Sequence, residues 1–402
     1  MTPDQPSTPA LRFSEFTDPW APSRGGDAFI QGRQRGEDGL PIYSVTIEGG
    51  MVRRDSLDRE ISSNAADGAN LRANKDDMVY NMMRMWQGAV GRAPVDCMVS
   101  PAYVVLVPKL GTLSQFFEHW FKRSRSIYWL WAYSYGLTGD RLRLYFRDFT
   151  KVPMSLPSFD EQQKIADFFG AIDERAELLS RRLDALLRYK RGTMQQIFSR
   201  TLRFKRANGS EFPDWEEIRL GDIAEFAKGR GISKEDIVAG GKLPCIRYGE
   251  LYTIYGERIK TVVSATDAAA DGLLMSKPGD VILPASGETP LDMPSASCVL
   301  IGGVALGGDL NVIRSSINGV FLAYLLRSHK RREVARLAQG NSIVHLYGTH
   351  LASLKLAIPT DPDEQQNIAD FLGAVDDKIA AVSARIDAMQ TFKKGLLQQM
   401  FV

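Results

Sequence analysis

An internal repeat constrains this 402-residue sequence more than any other feature. The segment 161–199 aligns with the segment 364–402 without a gap, and 19 of the 39 aligned positions are identical. The two copies lie 203 positions apart, which is about half the length of the chain. Solenoid repeats have periods of about 20–50 residues, so this longer period indicates two domains that are each followed by the same element.

Each copy has the pattern of a long α-helix. Asp160 and Asp363 precede the copies as candidate N-caps, and no proline interrupts either copy. Apolar residues recur at alternating steps of four and three, the spacing of a helix that packs lengthwise against another helix. Such a helix would be about 58 Å long, more than one small domain can cover. The predicted seam consists of Ile165, Phe169, Ile172, Leu179, Leu183, Leu186, Ile368, Leu372, Val375, Ile379, Val382, Ile386 and Met389.

The simplest partner for each helix is the other copy. An antiparallel pair would place the two domains at opposite ends of a rod, and a parallel pair would place them side by side. We favour the antiparallel pair, because a pseudo-twofold axis lets the same face serve both copies. Lys190 and Lys393 interrupt the seam at equivalent positions. We interpret them as lysines whose ammonium groups reach solvent near the end of the rod, and a role in setting the register of the helices is the less favoured alternative.

The rest of the sequence predicts mixed globular halves. Short apolar runs rich in β-branched residues end in turn signals at 40–45 and 279–284, and helical patterns lie at about 111–124 and 317–339. We therefore predict an α+β (mixed α/β) fold in which a long antiparallel two-helix coiled coil joins two globular domains in a pseudo-twofold repeat. The predicted segments are 1–157 (first domain), 158–199 (first long helix), 200–213 (linker), 214–360 (second domain) and 361–402 (second long helix).

Composition and charge exclude fewer functions than the repeat does. Apolar residues make up 44 % of the chain, but no apolar run approaches the ~20 residues that span a bilayer, and the first thirty residues do not resemble a secretory signal. Three isolated cysteines, Cys97, Cys245 and Cys298, are typical of reduced thiols, so we expect a cytoplasmic protein without a membrane partner. The formal charge of +2 neither requires nor excludes nucleic acid, although basic residues cluster at 122–125 and 329–332 and throughout 181–206. A solvated helix face and phosphate binding are equal alternatives for these clusters.

No catalytic constellation is evident in the sequence. The loop 100–103 lacks the Asn or Asp that the similar loop of amino-methyltransferases needs, and the glycine run 302–308 lacks the Lys-Ser/Thr of a phosphate-binding loop. His345 and His350 are five positions apart, which does not place them on one helical face as metal ligands would require. We therefore expect this chain to have no catalytic residues, no metal and no cofactor of its own.

Several short motifs accompany the repeat. They are Leu156-Pro157 before Glu161–Ala166, Ile358-Pro359 before Glu364–Ala369, Trp215 before Leu220–Ile223, and Asn74-Lys75, Met82–Arg84, Gly88 and Ser100–Tyr103. With these motifs the chain resembles the DNA-specificity subunit of type I restriction-modification systems. The resemblance implies that each half is a target-recognition domain that reads one part of a split, asymmetric site in double-stranded DNA, and that the helical rod sets the spacing. The second half lacks the last group of motifs, as expected if the halves read different sequences.

The resemblance also implies partners. Two methyltransferase subunits would dock on the helical region and carry S-adenosylmethionine, and motor-endonuclease subunits would join them for cleavage. This chain would then be the non-catalytic subunit. The residues alone leave one alternative open, a duplicated non-enzymatic scaffold that binds protein partners instead of DNA. A standalone nuclease or methyltransferase is disfavoured, because its motifs are missing.

Basic and amide side chains of the globular halves are the candidate DNA contacts, because Arg and Lys suit guanine edges and phosphates and Gln suits adenine. The alternative for each is an ordinary surface residue or, for the aromatic ones, a core residue. The candidates are Lys75, Arg84, Trp86, Gln87, Arg92, Lys122, Arg123 and Arg125 in the first half, and Lys228, Arg230, Lys234, Arg247, Tyr248, Lys330, Arg331 and Arg332 in the second.

Overall fold

The structure, a computed structural model of the chain, describes residues 7–57, 69–340 and 342–402. Its contacts divide the chain into two compact units. Unit 1 contains the residues up to Ser180 together with Ala384–Val402, and unit 2 contains Arg181–Ser383. Each unit therefore holds one globular domain and a part of both repeated segments.

Unit 1 combines short strands with short helices before its long helix. Its strands are β1 (Ala21–Arg24), β2 (Phe29–Gly32), β3 (Ile42–Thr46), β4 (Gly50–Arg53), β5 (Leu71–Ala73), β6 (Met78–Asn81), β7 (Val90–Arg92), β8 (Cys97–Val99), β9 (Tyr103–Pro108) and β10 (Pro153–Leu156). Its helices are α1 (Gly25–Ala28), α2 (Ser114–Trp120), α3 (Ser124–Ala132), α4 (Phe146–Phe149) and the first part of α5 (Phe159–Phe198).

Two sheets form the centre of unit 1 among the described residues. Their strand orders are β2-β9-β6-β7 and β4-β3-β8-β5, and β1 pairs separately with β10. Apolar and β-branched residues fill the central strands, so that Met78, Val79 and Tyr80 of β6 are fully buried. The core continues into α2 and the long helices, where Phe116 and Phe169 are also fully buried.

Unit 2 has the same kinds of elements. Its strands are β11 (Glu216–Arg219), β12 (Ala224–Lys228), β13 (Leu243–Ile246), β14 (Arg258–Ile259), β15 (Ser264–Thr266), β16 (Leu274–Met275), β17 (Asp280–Pro284), β18 (Ser286–Gly287), β19 (Ser297–Val299), β20 (Ala305–Leu306), β21 (Leu310–Ser315), β22 (Val344–His345) and β23 (Lys355–Ile358). Its helices are α6 (Leu220–Ile223), α7 (Glu250–Thr253), α8 (Gly319–Arg327), α9 (Arg331–Leu337), α10 (Gly348–Ala352) and the first part of α11 (Pro362–Gln399).

The sheets of unit 2 repeat those of unit 1. The order β12-β21-β17-β19-β14 extends the pattern β2-β9-β6-β7, and the order β15-β13-β20-β16 contains a parallel pair, β13–β20, that corresponds to β3–β8. The antiparallel pair β11–β23 likewise corresponds to β1–β10. The predicted α+β class and internal repeat are therefore confirmed, and the repeat includes the globular domains as well as the helices.

Both predicted long helices form, but each begins slightly before its predicted cap. The Ser158 hydroxyl accepts a hydrogen bond from the backbone N–H of Glu161 at 3.3 Å, and the Asp361 carboxylate accepts one from that of Asp363 at 2.9 Å. Ser158 and Asp361 are therefore the N-caps, and Asp160 lies with Asp363 in the acidic first turns.

In each unit, the start of one long helix packs antiparallel against the end of the other. In unit 1 the ammonium group of Lys393 binds the carboxylate of Asp173, and in unit 2 that of Lys190 binds Asp376 at 2.8 Å. Both lysines are mostly buried, with side-chain exposures of 14 % for Lys190 and 19 % for Lys393. The interpretation of these lysines as solvent-reaching was wrong: each pairs with an acidic residue of the facing helix, at equivalent positions of the repeat.

The repeated Glu-Gln pair anchors each globular domain to its helix. In unit 1 Glu161 is 1 % exposed and receives two hydrogen bonds of 2.7 Å from Arg12. The Gln162 side chain accepts from the N–H of Leu113 at 2.9 Å and donates to the carbonyl of Pro157 at 3.1 Å. These partners come from separate parts of the domain, so one helical turn binds three segments that are distant in the sequence.

Unit 2 builds the same anchor from the second copy. Glu364 is 1 % exposed and receives hydrogen bonds of 3.3 and 3.1 Å from Arg203. The Gln365 side chain accepts from the N–H of Asn318 and donates to the carbonyl of Pro359, both at 2.8 Å. All thirteen predicted seam residues are buried or half-buried along the helices, whereas intervening positions such as the exposed Leu178 and Leu187 face solvent.

Candidate nucleic-acid interface

Strand register defines two opposite edges in unit 1. Strand β9 runs toward Leu113, whose backbone is held by Gln162 of α5, so β9 ends at what we call the anchored edge. Strand β6 is antiparallel to β9, with Asn81 opposite Tyr103. The end of β6 therefore lies at the other side of the sheet, which we call the distal edge.

Unit 2 has the same two edges. Strand β21 runs toward Asn318, whose backbone is held by Gln365 of α11, and it therefore ends at the anchored edge. Strand β17 is antiparallel to β21, with Pro284 opposite Leu310. The chain that follows β17 consequently leaves the sheet at the distal edge, as the chain that follows β6 does in unit 1.

The turn 82–88 occupies the distal edge of unit 1. The side chain of Met85 is fully buried and packs the turn against the core. The indole Nε1 of Trp86 donates to a backbone carbonyl within the turn at 3.0 Å. Arg84 and Gln87 are exposed. The structure thus brings together three of the predicted contacts, Arg84, Trp86 and Gln87, on one turn.

A second segment lies beside this turn. The backbone N–H of Leu144 donates to the carbonyl of Met82 at 2.9 Å, and the Tyr80 hydroxyl donates to the carbonyl of Leu144 at 3.1 Å. Because Leu144 is fully buried and held on both sides, its neighbours Arg143 and Tyr145 are directed outward and are exposed. The segment therefore presents a cation and an aromatic ring at the distal edge.

Unit 2 repeats this arrangement. The backbone N–H of Leu346 donates to the carbonyl of Ala285 at 2.9 Å, and the Asn311 side chain donates to the carbonyl of Leu346 at 2.8 Å. Leu346 is 1 % exposed, whereas His345 and Tyr347 on either side of it are exposed. Tyr347 therefore occupies the position in unit 2 that Tyr145 occupies in unit 1.

The two tyrosine rings have unlike neighbours. The guanidinium of Arg147 lies 5.7 Å from the ring centroid of Tyr145. The ring of Tyr347 lies 6.2 Å from that of His345 in a stacked arrangement and 5.4 Å from that of His350 in an edge-on arrangement. Both tyrosines are thus exposed aromatic rings beside cationic or imidazole side chains, which suits contact with phosphate and sugar.

Four predicted contacts of the second half meet at the distal edge of unit 2. Lys228 lies opposite Asn311 at the start of β21, and Arg230 follows it in the chain. Arg247 and Tyr248 follow β13, which ends beside β20 just before β21 begins. An open cleft of about 400 Å³ at this edge is lined by residues that include Phe226, Lys228, Asn311, His345 and Tyr347.

Lys75 and Arg92 lie away from this surface. Arg92 is opposite Met78, at the start of β6 and hence toward the anchored edge, and its guanidinium binds Asp76 at 2.6 Å and Glu118 at 3.1 Å. Two intramolecular partners hold Arg92 in structural ion pairs, and its assignment as a DNA contact stays a prediction. Lys75 is exposed but belongs to the same region.

Arg123 likewise has internal partners. It is 6 % exposed, donates a hydrogen bond of 2.5 Å to the backbone carbonyl of Val402, and places its guanidinium 5.7 Å from the ring centroid of Phe401. Burial lowers its pKa to about 10, and its assignment as a DNA contact stays a prediction. Its neighbours Lys122 and Arg125 are exposed and stay predictions.

The remaining candidates of the second half stay predictions. Lys330 binds Glu333 at 2.9 Å, and Arg331 donates to a backbone carbonyl at 3.3 Å. Arg332 and Lys234 are exposed.

Sequence reasoning missed the residues around the two tyrosines. Arg143, Tyr145 and Arg147 in unit 1, and His345 and Tyr347 in unit 2, were not among the predicted contacts. A signal was present, because the dipeptide Leu-Tyr recurs at an offset one position shorter than that of the long helices. Its meaning depends on the distant strands that hold each leucine, which the sequence pattern does not show.

The described residues contain no group of His, Cys, Asp and Glu side chains arranged to hold a metal ion, and none of their helices is long and apolar enough to cross a bilayer. All three cysteines are buried. Burial raises the pKa of Cys97 to about 11 and that of Cys298 to about 12, and it also raises the pKa of Cys245. These thiols are therefore poor nucleophiles.

Comparison with known proteins gives one family. The family model described as "Type I restriction modification DNA specificity domain" matches residues 21–188 and again 213–390. Among curated proteins of Methanocaldococcus jannaschii, the chain is 24 % identical to the putative type I restriction enzyme MjaX specificity subunit over 61 % of this chain and 57 % of that protein. It is 24 % identical to the type I restriction enzyme MjaVIII specificity subunit over 51 % of this chain and 46 % of that protein. The chain thus spans about half the length of the curated relatives it matches.

Solved structures share the fold. The type I restriction-modification S subunit from M. genitalium is similar with a TM-score of 0.62 and 17 % identity, over 98 % of this chain and 99 % of that one. A chain from a study of complex assembly and conformational transition of the type I R-M system is similar with a TM-score of 0.55 and 16 % identity, over 95 % of this chain and 97 % of that one. Because the family model matches both halves and most of their length, this chain belongs to the type I restriction-modification DNA specificity family.

Proposed function

We propose that this chain is the DNA-reading subunit of a type I restriction-modification complex, with each unit recognising one part of a bipartite, asymmetric site. The observation that carries the proposal is the distal edge. Both units present the same backbone frame there, with a buried leucine flanked by exposed side chains, but the adjacent turns differ in residues and in structure. The common backbone arrangement would place both units on DNA in the same way, and the different side chains of the two turns would contact half-sites of different sequence.

The long helices support the second part of the proposal, that they set the spacing of the half-sites and dock the methyltransferase subunits. The pairs Lys190–Asp376 and Lys393–Asp173 fix the register of α5 against α11 in each unit. We expect a seven-residue insertion at facing positions of both helices to lengthen them by about 10 Å, or about three base pairs of spacer. A spacer that stays unchanged would contradict this role of the helices.

The proposal assigns catalysis to other subunits. Two methyltransferase subunits would carry S-adenosylmethionine, motor-endonuclease subunits would cleave, and the assembly would act in the cytoplasm.

Methylation mapping tests the proposed function. The chain is expressed with its methyltransferase partners, and methylated adenines are mapped across the genome, with the partners alone as the control. We expect one motif of two unlike parts separated by a spacer of fixed length, together with binding of the complex to duplex DNA that weakens steeply with salt. A continuous motif, or methylation that does not depend on this chain, would contradict the proposal. Binding of partners without salt-dependent DNA binding would instead identify a protein-binding scaffold.

A further inference from the structure

Tyr145 and Tyr347 occupy matching positions in the two units, although the turns beside them differ in sequence and structure. Tyr145 is 38 % exposed and Tyr347 is 50 % exposed, and each immediately follows the buried leucine that is bonded to the chain after β6 or β17. Each is also the residue that precedes a short helix, α4 or α10. A position kept in both units while the reading turns diverge is suited to a feature that all target sequences share.

Cationic side chains accompany both tyrosines. In unit 1, Arg147 lies over the Tyr145 ring and is 82 % exposed, although it also approaches Asp148 at 3.3 Å. In unit 2, Lys228 lines the same cleft as Tyr347 and is 66 % exposed, with Asp309 at 3.7 Å. These cations keep most of their surface in solvent, where their charge can neutralise phosphates.

From this arrangement we infer that Tyr145 with Arg147, and Tyr347 with Lys228, are the backbone clamps of the two units. Each clamp holds the phosphodiester backbone of duplex DNA without regard to sequence, and the neighbouring turns read the bases. A tyrosine hydroxyl and a nearby cation are common partners of phosphate oxygens, and such contacts fix orientation rather than specificity. The inference rests on the proposed function and divides its contacts into two classes.

The test compares the variants Tyr145→Phe and Tyr347→Phe with the wild-type chain, each assembled with its methyltransferase partners. The probes are a duplex with the motif that the wild type methylates and a duplex with both half-sites scrambled. Loss of one hydroxyl–phosphate contact should weaken binding to both duplexes by about the same factor, roughly tenfold, and leave the methylated motif unchanged. The variants Arg147→Gln and Lys228→Gln should each reduce the slope of log affinity against log salt by about one.

Lys109→Gln is the control for the two charge variants, because Lys109 is exposed just after β9 at the anchored edge of unit 1 and should keep the wild-type affinity and salt slope. Thermal unfolding of each variant reports folding separately. Wild-type affinity in both tyrosine variants, or a changed methylation motif, would overturn the inference. If the wild-type complex itself shows no salt-dependent DNA binding and no bipartite motif, the proposed function fails instead.

Discussion

In unit 1 the guanidinium of Arg12 binds both carboxylate oxygens of Glu161, and in unit 2 that of Arg203 binds Glu364 in the same way. At the distal edges the units differ. The turn after β6 is held by the buried Met85, whereas the chain after β17 continues into Ser286, which pairs with β22. The identical residues of the repeat therefore build each unit, and the residues that differ lie where each unit would meet its target.

The anchors should give the largest effect on stability. The side chain of Arg12 is 11 % exposed and that of Glu161 is 1 % exposed, so Glu161→Ala leaves a guanidinium buried without its carboxylate. We expect a loss of about 3–5 kcal/mol in the free energy of unfolding, measured by urea denaturation. Glu364→Ala should cost less, because Arg203 is 25 % exposed and also bonds Asp214.

The exposed carboxylate of Asp160 provides the control, since Asp160→Ala should change stability by less than about 1 kcal/mol. Equal costs at Glu161 and Glu364 would show that exposure of the arginine does not matter. A loss of stability at Glu161→Ala as small as that at Asp160→Ala would show that the Arg12–Glu161 pair does not stabilise unit 1.

The interhelical lysines should give the next largest effect, and an unequal one. Lys190 binds both Glu257 and Asp376, whereas Lys393 binds Asp173. We expect Lys190→Ala to lower the free energy of unfolding by about 2–3 kcal/mol and Lys393→Ala by about 1 kcal/mol. The exposed Lys394→Ala is the control. A larger loss at Lys393 than at Lys190 would contradict this ranking.

A smaller effect should follow from pH. His119 of unit 1 and Tyr324 of unit 2 occupy corresponding positions on α2 and α8. Burial, with a further contribution from the nearby Lys393, holds the pKa of His119 well below its usual value of 6.5. The unfolded chain therefore binds more protons, and stability is lost as the pH falls below about 6.5, by at most about 1.4 kcal/mol per pH unit.

The variant His119→Phe tests this contribution, because it keeps an aromatic ring against Phe169 and removes the titration. Between pH 7.5 and 5 we expect the variant to lose about 1–2 kcal/mol less stability than the wild type, measured by urea denaturation at each pH. Tyr324→Phe should leave the wild-type pH dependence over that range unchanged. A His119→Phe chain with wild-type pH dependence would show that His119 becomes protonated without unfolding.

The fold was predictable where the signal is local or periodic. The alternating steps of four and three predicted both long helices, and the ungapped alignment predicted the repeat, because helical packing imposes its period directly on the sequence. The ion pairs of Lys190 and Lys393 were misinterpreted, since a lysine in an apolar stripe has the same pattern whether it faces water or an acid. The partner of each lysine lies on the other helix, far away in the sequence.

The candidate interface was only partly predictable. Arg84, Trp86 and Gln87 lie together on the turn after β6 and stay predictions, whereas internal partners hold Arg92 and Arg123. Composition cannot distinguish a basic residue with a buried partner from one that faces solvent. The clamp tyrosines were missed for a similar reason, because hydrogen bonds between distant segments place them at the distal edge.

The most direct test of the central claim is the methylation motif of a chain in which one distal edge alone is changed. The variant carries Arg84→Ala and Gln87→Ala, both exposed on the turn after β6 in unit 1. We expect one half of the bipartite motif to become relaxed or altered, while the other half and the spacer stay as in the wild type. A change in both halves, or an unchanged motif, would contradict it.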